Sequence, residues 1–199
     1  TKAEIKSFLQ SGFQVSKFKQ AYGFKTLRTQ DPAEVMRRIW AAPTFEVHGL
    51  VGGYHGPGVK TVVPGHGELK VSMRLVPNQT PEKAFALLKK HVAKLNPEVT
   101  VEREGMLHPF RGVFDGPYVD AVKRAVKAGF GKEPAFIREG GSIGAVVTMQ
   151  KAWKVPILFM GLSLPEHGYH APNEYFDWGQ ASGGMKAFVH YFAELAAKR

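Results

Sequence analysis

Two groups of polar residues have types and spacing that could do chemistry. The first runs from Arg138 to Gly144, where an Arg-Glu pair is followed by two glycines and a serine. Backbone amides at a helix start attract anions, and glycines let a ligand approach the main chain closely. The second runs from His170 to Glu174, in a loop rich in glycine and proline. Each group follows a short apolar run, and α/β proteins build sites beyond such strand ends, so we expect one shared site.

The segment Gly140–Gly144 has the G-x-S-x-G pattern that surrounds the nucleophile of serine hydrolases. A nucleophilic Ser142 needs an acidic residue and then a histidine further along the chain. Glu166 stands only four residues before His170. Asp177 followed by His190 keeps the order, but His190 falls inside a predicted helix. A tight structural turn is the commoner meaning of this pattern. The charged pair before it still points to a site, because a charge at a strand end is costly without a partner.

An imidazole in the second group could bind a metal ion. Asn173 and Glu174 follow His170 and can hold its loop, and a neutral imidazole held in this way is a good metal ligand. His167 shares the loop, but an isolated loop histidine is usually solvated, which is what we expect of it. Zinc needs three or four ligands, and the sequence has neither an H-x-D nor an H-E-x-x-H pair. Either the remaining ligands come from elsewhere or there is no metal site.

Composition excludes several classes of function. The 199 residues include no cysteine, which rules out disulfides and thiolate metal sites. A formal net charge of +10 suggests acidic partners, but the basic residues are dispersed and no nucleic-acid-binding motif is present, so we expect no nucleic acid. No apolar run approaches the roughly 20 residues of a membrane span, so we expect no membrane partner. The opening residues are too polar for a signal peptide.

The elements that must position these residues follow two patterns. Residues 1–42 are predicted as short helices, and residues 44–104 as strand, strand, helix and strand, which is a small α+β unit. Alternation over residues 68–76 places Arg74 on the polar face of its strand. From about residue 112 helices and strands alternate, which argues for a layered α/β domain. Its predicted elements are helices Pro117–Phe130, Ser142–Trp153 and Gly179–Ala197 and strands Pro134–Ile137 and Val155–Leu162.

A resemblance to a known family rests on five runs of sequence. The runs, in order, are Glu46–Leu50, Val59–Pro64, Val71–Asn78, Arg138–Ile143 and His170–Glu174. Together they resemble the di-zinc dipeptidases, most closely the branch of carnosine dipeptidases and cytosolic nonspecific dipeptidases. Aminoacylases and glutamate carboxypeptidases are the wider relatives of that branch. Five ordered motifs are more specific than any one of them alone.

The resemblance implies an α/β fold class. A partial α+β (ferredoxin-like) lid or dimerisation domain would be followed by the C-terminal part of a layered α/β zinc-peptidase catalytic domain. Residues 1–43 would be a helical segment of the lid insertion, residues 44–106 the later part of the lid, and residues 107–199 the catalytic part. Lids of this family pair, so a homodimer is the expected assembly. A cytoplasmic location is also expected.

The resemblance further implies roles for individual residues. His170 matches the family's last metal ligand, at a site for two zinc ions, with manganese as an alternative. Ser142 and Arg74 match positions that hold the substrate, Arg74 on its free carboxylate, and Thr61 matches a lid residue that reaches the partner's site. The residues expected to line the site beside Ser142 are Arg138, Gly140 and Gly141.

The sequence also departs from that family. The H-x-D pair, the bridging aspartate, the Glu-Glu pair, a fourth carboxylate ligand and a catalytic lid histidine are all absent here. An intact relative would cleave a peptide or amide bond next to a free carboxylate, in a small peptide or N-acyl amino acid, with a metal-activated water. We expect no catalytic residue within this chain, and therefore an inactive fragment. Two alternatives stay open: a non-catalytic dimerisation module, and a serine hydrolase that uses Ser142.

Overall fold

The computed structural model describes residues 1–140 and 143–197. The chain divides into two compact units. The helical unit combines residues 1–41 with those from 111 onward, and the hairpin unit consists of residues 42–110. In chain order, the elements are α1 (Lys2–Leu9), α2 (Val15–Ala21), α3 (Pro32–Ala41), β1 (Thr44–Gly52), β2 (Gly67–Arg74), α4 (Pro81–Leu95), α5 (Pro117–Phe130), α6 (Gly144–Trp153) and α7 (Trp178–Ala196), with a 3₁₀ turn at Pro165–His167.

Local signals explain where the helices begin. Helices α3, α4 and α5 each start at a proline, whose fixed φ suits the first helical position and whose missing N–H is not needed there. The Thr80 hydroxyl accepts a hydrogen bond from the Lys83 amide at 3.3 Å, and the Asp31 carboxylate accepts from the Glu34 amide at 3.2 Å. Such caps satisfy amides that the first helical turn leaves without partners.

The N-terminal helices belong to the helical unit. Phe8, Val35 and Met36 are buried where α1 and α3 contact each other. The Ser7 hydroxyl donates to the Phe136 carbonyl at 2.8 Å and accepts from the Phe136 amide at 3.0 Å. Helices α1, α2 and α3 fall within the predicted segment 1–43, and residues 1–41 group with those from 111 onward rather than with residues 44–106.

Helices α5 and α7 form the larger part of the core of the helical unit. Their contact is lined by small or branched side chains, and the buried members are Val119, Ala121, Val122, Ala125 and Ala187. The backbones approach so closely that a Cβ on Gly129 would overlap the carbonyl oxygen of Gly183. Glycine is therefore required at this crossing. Among the described residues, no helix is both long and apolar enough to cross a membrane.

The hairpin unit contains an antiparallel pair of strands and one helix. The pairing of β1 with β2 runs from Thr44 opposite Arg74 to Gly52 opposite Gly67, with an irregularity between Val47 and Gly49 that leaves His48 without a register partner. Helix α4 follows β2. Its apolar positions at Ala84, Leu88 and Val92 are partly buried, as the predicted spacing requires, whereas Leu95 is exposed.

Three predicted strands do not form ladders. In the part of the chain that the structure describes, β1 and β2 make the only sheet, and residues 99–102, 134–137 and 155–162 have no strand assignment. The prediction of strands there was wrong for this chain, because a strand needs a neighbouring strand for its backbone hydrogen bonds. Ile137 at 44%, Val155 at 47% and Phe159 at 56% remain exposed to solvent.

Candidate functional site

The predicted site residues lie in both units. Arg138, Gly140 and His170 belong to the helical unit, and Thr61 and Arg74 to the hairpin unit. Gly141 and Ser142, including the predicted serine nucleophile, lie outside the described residues. The geometry of each unit is therefore considered separately.

Arg138 is held by other residues of the helical unit. Its Nη2 and Nε atoms donate to Oε1 of Glu4 at 2.6 and 3.0 Å, and its Nη1 atom donates to the Gly112 carbonyl at 3.1 Å. The guanidinium carbon also lies 5.9 Å from the centre of the Phe114 ring. Both ionic partners are largely buried, with 23% of the Arg138 side chain and 14% of the Glu4 side chain exposed. These contacts fix Arg138, which lies two positions before the pair Gly140-Gly141. The sequence predicts a turn at this pair, here named the glycine turn.

The carboxylate of Glu4 is strongly favoured in its charged form. Partial burial acts to raise its pKa, but hydrogen bonds from the Thr1 amino group, from Arg138 and from the Thr1 hydroxyl outweigh it. The net effect lowers the pKa of Glu4 from 4.5 to about 2. Arg111 adds a longer contact, with Nη2 at 3.4 Å from Oε1 of Glu4. Nothing in the sequence pattern had singled out Glu4.

The glycine turn follows Arg138 and Glu139 in the chain. The Gly140 amide donates to the Glu139 carboxylate at 2.8 Å, which folds this side chain back onto its own main chain. Helix α6 begins at Gly144, preceded by Ile143, which offers no side-chain cap. Gly140 and Ile143 thus flank the predicted turn, and the strand expected before it is not formed.

His170 lies in a loop between the 3₁₀ turn and α7. Its side chain is exposed, and its backbone φ of 63° is in the left-handed region that few non-glycine residues adopt. The ring packs edge-on against Tyr169, with centroids 6.1 Å apart. A ring exposed in this way is accessible to a ligand from outside the chain.

His167 does not match the expectation of a solvated side chain. It is only 2% exposed, and its ring packs against Tyr175 and Phe176 at 5.0 and 5.7 Å between centroids. Its Nδ1 atom accepts a hydrogen bond from the Leu164 amide at 3.2 Å, so the proton resides on Nε2, which lies 2.7 Å from Oδ2 of Asp177. The prediction was wrong because burial in a loop depends on contacts that spacing does not reveal.

Asp177 joins this loop to α7. Its Oδ1 atom accepts from the Gln180 amide at 2.8 Å and so caps the helix, while Oδ2 bonds to His167. The pKa of Asp177 is lowered, first by the Gln180 amide and then by His167, against an opposing effect of burial. The carboxylate that the serine-hydrolase alternative would pair with His190 is therefore engaged by His167.

Tyr169 connects the loop that carries His170 to α2. Its hydroxyl lies 3.1 Å from that of Tyr22 at the end of α2. The pKa of Tyr169 is raised, chiefly by this hydrogen bond and by burial, with smaller contributions from the charges of Tyr22 and Glu139. The hydrogen bond to Tyr22 therefore ties the loop that carries His170 to the end of α2.

The residues present do not complete a metal site. Over residues 1–140 and 143–197, no three histidine, aspartate or glutamate side chains are gathered as a metal ion would need. His170 is an accessible imidazole, but both ring nitrogens of His167 are used within the loop. This chain by itself therefore does not fit a zinc centre, whose imidazole and carboxylate ligands must surround the ion.

In the hairpin unit, Thr61 and Arg74 lie on exposed backbone. Thr61 is in the loop that joins β1 to β2, and Arg74 is the last residue of β2. The Arg74 amide donates a hydrogen bond to the Thr44 hydroxyl at 3.3 Å. Both residues are exposed to solvent.

Comparison with known proteins finds a matching domain and several homologues. The model of the peptidase dimerisation domain of the M20 type matches residues 5–100. The Cys-Gly metallodipeptidase of Schizosaccharomyces pombe is 32% identical over 185 residues, covering 90% of this chain and 39% of that protein. The chain is a homologue of the M20 metallodipeptidases. This finding supports the resemblance and the mixed helix and strand fold class inferred from the sequence.

Two solved structures are similar to this M20 homologue over nearly all of its length. Human carnosine dipeptidase 1 matches with a TM-score of 0.85 and 26% identity, covering 99% of this chain and 43% of that one. An M20 family metallo-carboxypeptidase from Sulfolobus solfataricus matches with a TM-score of 0.85 and 29% identity, covering 96% of this chain and 44% of that one. The chain thus spans about two fifths of the length of these relatives.

The M20 dimerisation-domain match and the packing of the chain divide residues 1–41 differently. The match begins at residue 5 and so includes most of α1 and all of α2 and α3, whereas the contacts of these helices place them in the helical unit. The boundaries 1–43, 44–106 and 107–199 therefore stay a prediction.

Proposed function

We propose that this chain is part of a metal-dependent dipeptidase that hydrolyses a peptide or amide bond next to a free carboxylate. The observation that carries the proposal is the 32% identity to a Cys-Gly metallodipeptidase over 90% of the chain. Small peptides or N-acyl amino acids are the proposed substrates. A bound metal would supply an activated water for the hydrolysis.

Within such an enzyme, this chain would contribute mainly substrate contacts. Arg74 would bind the free carboxylate, since a guanidinium can offer paired donors to a carboxylate. Thr61 would reach the active site of a second subunit. The residues proposed to line the site beside the substrate are Arg138, Gly140, Gly141 and Ser142. For Arg138 the contacts with Glu4 and Gly112 favour an indirect contribution, through the shape of the turn.

His170 is the proposed metal ligand of this chain. Its exposed ring, held in a left-handed loop position, suits an ion whose other ligands come from outside these residues. Zinc is the proposed metal, as two ions per site, with manganese as the alternative; imidazole and carboxylate ligands suit both. We assign no catalytic step to a residue of this chain.

The 199-residue chain alone is proposed to be inactive, because one imidazole does not hold a catalytic ion. The test compares this chain with the product of the complete reading frame that contains it, each assayed with Cys-Gly and carnosine in the presence of Zn²⁺ or Mn²⁺. We expect hydrolysis by the longer protein and none by the chain. Robust hydrolysis by the chain, or none by the longer protein with either metal, would refute the proposal.

We further propose that the hairpin unit mediates homodimerisation. The match of residues 5–100 to a dimerisation domain supports this, as do the exposed apolar side chains Phe45, Val47, Leu50 and Val51 on β1. An open strand edge can pair with its copy across a two-fold axis. Sedimentation velocity should show a dimer.

A matched pair of leucines sharpens that test. Leu50 on β1 is 76% exposed and Leu95 at the end of α4 is 73% exposed. Leu50→Lys should shift the sedimentation coefficient to that of a monomer, whereas Leu95→Lys should not. A wild-type chain that is monomeric at every concentration, or a dimer unaffected by Leu50→Lys, counts against this interface.

A cytoplasmic location is proposed with the family assignment. Fractionation of the source cells, with an antibody against this chain, checks it. Recovery in a secreted or membrane fraction would overturn it.

A further inference from the structure

The proposed function leaves one buried titratable side chain without a role. Among the described residues, His167 is the buried polar side chain, and both of its ring nitrogens have partners. Burial of an imidazole in an apolar setting is costly unless its polar atoms are hydrogen-bonded. His167 is buried with both ring nitrogens hydrogen-bonded, and His170, three residues later in the same loop, is exposed. This difference suggests that the two histidines have different roles.

We propose that His167 and Asp177 form a clamp that closes the loop 164–177 and thereby positions His170. The role of His170 as a metal ligand rests on the proposed function, whereas the clamp rests on the geometry of the loop. His167 is a positioning residue, because with Nδ1 bonded to the Leu164 amide and Nε2 to Asp177, neither nitrogen is available to an ion.

The clamp joins three parts of the loop. Through Nδ1 it contacts the residue before the 3₁₀ turn, and through Asp177 it contacts the first turn of α7. The His167 carbonyl accepts a hydrogen bond from the Tyr175 amide at 3.1 Å, which draws the far side of the loop inward. One residue thus ties together positions 164, 175 and 177.

The segment enclosed by the clamp is conformationally demanding. Gly168, His170 and Asn173 all have φ between 63° and 65°, and two of them are not glycine. A non-glycine residue in the left-handed region is strained and persists only where surrounding contacts enforce it. The clamp supplies such contacts, whereas among the described residues the exposed His170 ring makes an edge contact with Tyr169.

The lowered pKa of Asp177 agrees with this arrangement. Its carboxylate stays charged and so remains an acceptor both for the Gln180 amide and for the His167 ring. Tyr169 provides a separate anchor through Tyr22. Loss of the clamp should therefore loosen the loop without detaching it from α2.

The test uses amide hydrogen exchange and NMR on the isotopically labelled 199-residue chain. In the wild type, long-range proton–nitrogen spectra should show the Nε2–H tautomer for His167, and the Leu164 and Tyr175 amides should exchange slowly. His167→Ala and Asp177→Asn should each speed exchange of these two amides by about tenfold or more and shift the His170 backbone resonances. Amides in the middle of α5 should keep their rates.

Three variants make the outcome decisive. His170→Ala is the matched control, and it should leave exchange at Leu164 and Tyr175 unchanged because its ring is exposed. His167→Gln keeps a donor for Asp177 and should give intermediate rates. If His167→Ala fails to fold, Asp177→Asn provides the test of the clamp. An asparagine can still accept the hydrogen bond from the Gln180 amide, so the start of α7 stays capped.

Two results would overturn the clamp. One is the Nδ1–H tautomer for His167 in the wild type. The other is unchanged Tyr175 exchange and unmoved His170 resonances in Asp177→Asn. Failure of the proposed dipeptidase function is a separate result, because it would abolish neither the tautomer nor the exchange protection.

Discussion

Glu4 and Arg138 are 134 positions apart in the chain, yet Nη2 of Arg138 lies 2.6 Å from Oε1 of Glu4. With Ser7 bonded on both sides of Phe136, this contact joins α1 to the segment before the glycine turn. The first helix of the chain thus supports one of the two sequence groups that could do chemistry. Removal of α1 should therefore disturb the segment that precedes the glycine turn.

Replacing Glu4 should destabilise the helical unit. In Glu4→Gln, the largely buried Arg138 guanidinium loses its carboxylate partner, and an unpaired buried charge is costly. We expect the free energy of unfolding to fall on the order of 2 kcal/mol, measured by urea denaturation. The matched control is Glu34→Gln on α3, which removes a carboxylate bonded to Arg37 and Arg38 on the exposed surface. Equal losses in the two variants would contradict the importance of burial.

The same carboxylate should make stability depend on pH. The folded-state pKa of Glu4 is about 2, below its ordinary 4.5. A depressed pKa means that the stabilisation is present above the unfolded value and is lost as pH falls towards the folded value. The difference in unfolding free energy between wild type and Glu4→Gln should therefore shrink between about pH 6 and about pH 3. A difference that stays constant over this range would exclude Glu4 as its source.

The crossing of α5 and α7 should not tolerate a methyl group. A Cβ on Gly129 would overlap the Gly183 carbonyl oxygen, which belongs to the main chain and cannot rotate away. Gly129→Ala should lower the free energy of unfolding by roughly 2 kcal/mol or more, seen as a reduced melting temperature. Gly161→Ala serves as control, because its Cβ would meet nothing within 4 Å. A Gly129→Ala protein as stable as that control would show that the helices are further apart.

Tyr22→Phe should change the titration of Tyr169. The hydrogen bond to the Tyr22 hydroxyl is the largest cause of the raised pKa of Tyr169, ahead of burial. Without it, the pKa of Tyr169 should move back towards its ordinary value of 10.0, as followed by NMR of the ring resonances. Tyr54→Phe, which removes a hydroxyl bonded to the Pro57 carbonyl in the hairpin unit, should leave it unchanged. An unaltered Tyr169 titration in Tyr22→Phe would show that the Tyr22 hydroxyl does not bond to Tyr169 and so does not tie the His170 loop to α2.

The helices could be predicted because their signals are local. Pro117–Phe130 was predicted with the bounds that the structure shows, from a proline at its start and apolar residues at helical spacing. The strand expected at Val155–Leu162 did not form, since an apolar run indicates a strand but cannot supply its neighbours. Local sequence therefore predicted the elements that make their own hydrogen bonds.

The candidate site was only partly predictable for a similar reason. His170 and Arg138 stood out through their neighbours in sequence, but the partner of Arg138 is a glutamate at the other end of the chain. His167 was expected to be solvated, and its burial depends on Tyr175, Phe176 and Asp177 folding back over it. A spacing pattern does not show which contacts a loop makes when it folds.

The most direct test of the account measures what His170 does in the complete protein. The product of the full reading frame is purified as wild type, His170→Ala and the control His190→Ala, whose ring lies on the exposed side of α7. Bound zinc and manganese are determined by atomic emission, and carnosine and Cys-Gly hydrolysis by product release. We expect that His170→Ala alone lowers the metal content and reduces hydrolysis by about a hundredfold or more. Unchanged metal content and activity in His170→Ala would contradict it.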